Sequence, residues 1–139
     1  MLSDMLLGNR IVMAPMTRNR AAPEGVPSPL MSIHYGQRGD AGLVISESAP
    51  VSAQGVGYPG TPGIYTDEQA QGWRKVTDAV HAKGGHIFAQ LQHCGRISHP
   101  SLQVDEEMPV APSAIKPEGL AVTYLSLIHI SEPTRLRRI

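Results

Sequence analysis

The chain has 139 residues, of which 41% are hydrophobic and 17% charged, a makeup that fits a globular domain and not a disordered one. Twelve basic and twelve acidic side chains cancel, so no overall field draws the protein to nucleic acid or to an anionic membrane surface. The one cysteine, Cys94, excludes an intramolecular disulfide framework and a Cys-rich metal site, which points to a reducing, cytoplasmic compartment.

No apolar run approaches the ~20 residues of a membrane span, and the start MLSDMLLGNR shows neither a basic leader nor a long apolar stretch. In chain order, residues 10–14 (RIVMA) form a short apolar run closed by Pro15, which predicts a strand buried on both faces. Ser28 and Pro29 read as an N-cap and first-turn pair, followed by Leu30, Met31, Ile33, His34 and Gln37 at helical spacing up to Gly39. Residues 41–46 (AGLVIS) predict a second buried strand, ending at the polar pair Glu47 and Ser48. The glycine- and proline-rich stretch from Pro50 to Ile64 has no apolar period and predicts a long loop, a kind that is usually functional. Thr66 and Gln69 have capping-box spacing, Asp67 and Glu68 favour the helix dipole, and Ala70, Trp73, Val76, Thr77 and Val80 define one helical face. Gly84 and Gly85 stop this helix, and residues 86–91 (HIFAQL) predict a third strand with Gln90 near its end.

Strand, helix, strand, helix, strand predicts an α/β protein with a parallel sheet, because parallel neighbours need a crossover. A closed barrel of eight such units takes ~250 residues, so this chain would supply about three of them, residues 1–124 being the N-terminal part. Residues 125–139 (LSLIHISEPTRLRRI) break the style with three Arg against one Glu. They resemble translated sequencing-adapter sequence and are expected to be a non-native tail.

In a parallel barrel, chemistry sits at the C-terminal ends of the strands. The candidates are Pro15, Met16, Thr17 and Arg18 after the first strand, Glu47 and Ser48 after the second, and Gln90, Gln92, His93 and Arg96 around the third. Thr17 could equally cap a turn, and Glu47 reads as structural, paired with a nearby Arg. Gln90 is the most telling, because an amide inside an apolar strand needs partners for both its oxygen and its nitrogen.

The strings NRIVMAPMTRNRA, GLVISES, PGIYTDEQAQGW, FAQLQHCGRISHPS and PVAPSAI, in order from about Leu7 to Tyr124, resemble the Old Yellow Enzyme family of FMN-dependent ene-reductases, and most of all its N-ethylmaleimide reductase branch. The resemblance implies a (β/α)8 TIM barrel holding FMN at the strand C-termini, with NAD(P)H as reductant and an electron-poor alkene as substrate. It implies that Pro15 and Met16 offer backbone groups to the flavin edge. Thr17 would hydrogen-bond the flavin carbonyl beside the reactive nitrogen, and as a preorganised donor it would favour the anionic reduced flavin. Ser48 would lie near the flavin, where the family has Ala or Gly, and Gln90 would contact the pyrimidine ring. His93 and Arg96 would order a loop. Gln92 stands where this branch commonly has Trp in the substrate pocket, so the resemblance does not carry over a substrate preference. The family's substrate-polarising pair, its proton-donating Tyr and its phosphate-binding strands fall beyond the matched segment, so no catalytic residue is assigned.

Two rivals remain weak. His86, His93, Cys94 and His99 are the only metal-like cluster, but adjacent His93 and Cys94 point to opposite faces of an extended chain. GVGYPGTPG lacks the GKS or GKT ending of a phosphate loop. The serious alternative is that the 139-residue chain is a truncated, non-catalytic piece with no activity of its own.

Overall fold

The computed structural model describes residues 4–123, 127–129 and 134–135. Five elements follow one another as β1 (Val12–Met13), α1 (Pro29–Gly36), β2 (Leu43–Pro50), α2 (Asp67–His81) and β3 (Ile87–Gln92), and the strands form one sheet in the order β1-β2-β3. β1 lies parallel to β2, with Val12 opposite Leu43 and Met13 opposite Val44. β3 runs the same way. The Val44 N–H donates to the His86 carbonyl at 2.8 Å and the Val51 N–H to the Gln92 carbonyl at 3.1 Å, so the partners climb together. The α/β alternation therefore builds the parallel sheet that the element order predicts.

β1 keeps only two residues of the RIVMA run. Just before it, the Asn9 side chain takes over: its Oδ1 accepts from the Ile11 and Gly42 N–H groups at 2.9 Å each, and its Nδ2 donates to the Asp40 carbonyl at 2.8 Å. A Cβ at Gly42 would collide with the Asn9 backbone carbonyl, so glycine is what lets the two segments approach. α1 starts at Pro29 as predicted, but Ser28 does not cap it with its side chain. Its hydroxyl donates instead to the Arg20 carbonyl at 2.7 Å.

β2 is buried on both faces, with only Ile45 and Ser48 half-buried, and it runs on to Pro50, so Glu47 and Ser48 lie inside the strand and not beyond its end. The expectation of two-sided burial fails for the other strands: Val12 is 48% exposed, Phe88 43% and Leu91 63%. Each outer strand has a neighbour on one side only.

The capping box at α2 forms as its spacing predicts. The Thr66 Oγ1 accepts from the Gln69 N–H, and the Gln69 Oε1 accepts from the Thr66 N–H, each at 3.2 Å. The buried face is Gln69, Gly72, Trp73, Val76 and Val80, not the one drawn through Ala70, which is exposed. Burying Gln69 costs little because its amide is satisfied: Oε1 also accepts from the Tyr65 N–H, and Nε2 donates to the Glu24 carbonyl at 2.9 Å. Trp73 donates its Nε1–H to the Gly63 carbonyl at 2.9 Å. Gly84, at a φ of +74°, ends the helix turn in the left-handed region that glycine tolerates.

The chain divides into two compact units. The first, residues 1–49 and 60–91, contains the core of Met31, Tyr35, Val44, Ala49, Trp73, Val76 and Val80, with Met13, Ala41, Ile64 and Ile87 packed against it. The second, residues 50–59 and 92–139, contains β4 (Val110–Ala111), β5 (Leu120–Val122), β6 (Leu127–His129) and β7 (Thr134–Arg135). β4 pairs parallel with β7, and β5 antiparallel with β6. The loop expected over 50–64 carries one short turn, Ala53–Gly55, whose Gly55 N–H donates to the Ser52 hydroxyl. β6 and β7 fall within the segment expected to be non-native; the rest of that segment lies outside the described residues. Among the described residues no helix is long and apolar enough to cross a membrane.

Candidate functional site

β1 hands on to Pro15, half-buried, Met16, 60% exposed, and Thr17, exposed. Among the described residues the Thr17 hydroxyl makes no hydrogen bond, so it is not spent on capping a turn. On the next two strands, the Ser48 hydroxyl donates to the Gln90 Oε1 at 2.6 Å across 42 residues of sequence. Gln90 is held a second time, its backbone N–H donating to the Ser46 Oγ at 3.1 Å, while the Ser46 hydroxyl donates to the Glu47 carbonyl at 2.8 Å. With its oxygen engaged by Ser48, the Gln90 amide has its two N–H donors unspent among the described residues.

Glu47 is fully buried. Its Oε2 accepts from the Arg18 backbone N–H at 3.0 Å and its Oε1 from the Tyr35 hydroxyl at 3.2 Å, while the Glu47 N–H donates back to the Tyr35 oxygen at 2.7 Å. The acid expected to pair with an Arg side chain is thus met by a main-chain N–H and a phenol. Burial pushes the Tyr35 phenol well above its ordinary range. Beside Glu47 lies a cavity of about 190 Å³ lined by Arg18, Arg20, Leu30, Met31, His34 and Glu47. Burial, with the charges of Arg38 and Arg18, lowers the His34 pKa, and the His34 Nε2 is buried without a hydrogen-bond partner among the described residues.

At the end of β3, Gln92 is half-buried and its carbonyl accepts from the Val51 N–H. His93 Nδ1 accepts from the Gly95 N–H at 3.0 Å, and Arg96 donates to the Ile115 carbonyl and the Ser113 hydroxyl at 3.0 Å each, so both order local loops. Among the described residues no three or more His, Cys, Asp or Glu side chains gather as a metal site.

Sequence reasoning placed Thr17, Ser48 and Gln90 at three successive strand ends; in the fold Thr17 comes four residues after β1, whereas Ser48 and Gln90 lie inside the adjacent parallel strands β2 and β3. It missed Tyr35, which sits four residues after Met31 on the buried face of α1. That spacing was the available signal.

Residues 1–132 match the NADH:flavin oxidoreductase / NADH oxidase family, a match that runs past Leu125 into the segment expected to be non-native. The chain is 51% identical over 106 residues to 12-oxophytodienoate reductase 7 of Oryza sativa subsp. japonica, covering 76% of this chain and 27% of that relative. It is 46% identical over 121 residues to a flavin oxidoreductase of Emericella nidulans, covering 84% and 31%. The chain thus spans under a third of the length of these curated relatives. Among solved structures, morphinone reductase in complex with tetrahydroNAD is similar at a TM-score of 0.90 and 48% identity, over 98% of this chain and 39% of that one. The Old Yellow Enzyme homologue from Zymomonas mobilis is similar at 0.91 and 43%, over 96% and 37%. The parallel sheet described above corresponds to the N-terminal part of the (β/α)8 barrel of those structures. With the match covering nearly all of the sequence, the chain belongs to the NADH:flavin oxidoreductase / NADH oxidase family, that of Old Yellow Enzyme.

Proposed function

We propose that the complete protein is an FMN-dependent ene-reductase that oxidises NADH or NADPH and reduces electron-poor alkenes such as maleimides or enones. The observation that carries this reading is the trio Thr17, Ser48 and Gln90. A free hydroxyl follows the outer strand β1, and an amide with unspent N–H donors stands on the other outer strand β3, held by Ser48 of the β2 strand between them. These donors fit the carbonyl-rich pyrimidine side of a flavin and would suit a metal ion poorly. When bound, FMN would supply hydride chemistry between the nicotinamide and the alkene carbon in a ping-pong cycle, the second hydrogen arriving as a proton from a donor outside this chain.

The residues of this chain bind and orient. Pro15 and Met16 would line the flavin edge, and Thr17 would donate a hydrogen bond that favours the charged, reduced form. Gln90, its oxygen engaged by Ser48, would offer its N–H donors to the pyrimidine ring, and Gln92 would shape the substrate pocket. The balanced charge and the lone Cys94 support small-molecule chemistry in the cytoplasm. The test is to assay the reconstructed complete protein for NAD(P)H oxidation that depends on an added enone. No turnover with any enone or maleimide would sink the reading.

A second reading applies to the 139-residue chain taken alone. Its outer strands leave Val12, Phe88 and Leu91 open to water, so we expect it to associate and to bind FMN weakly. Equilibrium dialysis decides: a monomer binding one flavin at micromolar affinity would overturn this.

A further inference from the structure

Glu47 is buried but, among the described residues, is not spent on a salt bridge. Both of its carboxylate oxygens accept hydrogen bonds, one from the Arg18 backbone N–H and one from the Tyr35 hydroxyl. The peptide group between Thr17 and Arg18 carries that N–H, so the carboxylate holds the main chain one atom away from the residue whose hydroxyl is free. Tyr35 in turn is locked by the Glu47 N–H and by its place in the core between α1 and α2. Without this clamp the segment after β1 would be a run of exposed residues, Met16, Thr17 and Arg18, with no ladder of its own. A hydroxyl can act as a preorganised donor only if its backbone is fixed before the ligand arrives.

We propose that Glu47 is a positioning residue for the flavin chemistry, holding the Thr17 hydroxyl in place through the Arg18 N–H, with Tyr35 orienting the Glu47 carboxylate. This rests on the assignment of Thr17 to the flavin edge. The carboxylate touches neither flavin nor substrate in this account. It ties to the packed core a loop that has no strand ladder of its own.

The test is a cycle in the complete flavoprotein of Thr17→Ala and Glu47→Leu, singly and together, reading the flavin midpoint potential and the rate of flavin reduction by NADPH. Thr17→Ala alone should slow reduction about tenfold, the rate equivalent of one hydrogen bond to a charged acceptor. In the Glu47→Leu background the same change should add less than about twofold, because the hydroxyl is already misplaced. In flavin-free protein the Arg18 amide should exchange with solvent faster in Glu47→Leu. It should stay protected in Glu47→Gln, whose amide oxygen still accepts the bond. If Glu47→Leu fails to fold, Glu47→Gln and Tyr35→Phe carry the cycle, the first retaining the coupling to Thr17 and the second weakening it. Full additivity, or a Glu47→Gln variant as impaired as Glu47→Leu, would overturn the positioning role while leaving the Thr17 reading intact. No effect of Thr17→Ala by itself would overturn both.

Discussion

The two units of the chain are held by different means. In the first, seven buried residues from α1, β2 and α2 form one apolar cluster around Tyr35 and Trp73, whose rings lie 6.3 Å apart. In the second, the buried hydrophobics among the described residues are Val110, Ala111 and Ala121, all small. Polar staples do the holding there. The Ser98 hydroxyl and the Gln103 Nε2 both donate to the Val56 carbonyl at 2.7 Å, Gln103 also donates to Ser98 at 2.8 Å, and the Cys94 N–H donates to the Gly55 carbonyl at 3.0 Å. The difference is one of reach. An apolar cluster gains from every neighbour it excludes from water, whereas a staple fixes two atoms and little else.

The largest effect should follow from Trp73→Ala. It empties the centre of the cluster and strands the Gly63 carbonyl, and should cost about 3–5 kcal/mol in denaturant unfolding monitored by circular dichroism. Ser98→Ala should cost roughly 1–2 kcal/mol. Hydrogen exchange should quicken over residues 94–103 and stay unchanged in α1 and α2. Equal costs for the two variants, or a spread of exchange from Ser98→Ala into the apolar cluster, would erase the contrast between the units.

Thr66→Ala removes half of the capping box and should cost about 1 kcal/mol, with fraying confined to the first turn of α2. The smallest effect is a pH dependence. The pKa of His34 is lowered in the folded state, chiefly by burial, so below pH 6.5 the unfolded chain binds more protons than the folded one. Stability should therefore be fully present above pH 6.5 and fall as the pH drops from 6.5 toward the lower folded value. His34→Gln should flatten that slope. A thermal-unfolding series between pH 5 and 8 checks the sign, and an unaltered slope in His34→Gln would show that another group titrates there.

Much of the scaffold was legible in the sequence because it is decided locally. The capping box of Thr66 and Gln69, the stop at Gly84 and the alternation of apolar runs with a helical period depend on interactions within one or two turns. Gln90 stood out for an equally local reason, an amide amid apolar neighbours, but the residue is only half-buried and only its oxygen finds a partner among the described residues, so the local pattern overstated how fully it is paired. The adapter-like reading of residues 125–139 rests on resemblance alone, and two short strands lie within it.

The sheet decided what local pattern could not. Which strand lies between two neighbours separates buried β2 from half-exposed β1 and β3, though all three read as continuous apolar runs. The rotation of α2 that buries Gln69 and exposes Ala70 depends on the Glu24 carbonyl, 45 residues away, being there to meet the amide. Likewise the Arg18 N–H reaches Glu47 across 29 residues and Ser48 reaches Gln90 across 42. A sequence states which side chains need a partner, because burial and chemistry are properties of each residue and its near neighbours. The identity of that partner is set by sheet register and helix packing, which bring together atoms that no local spacing relates.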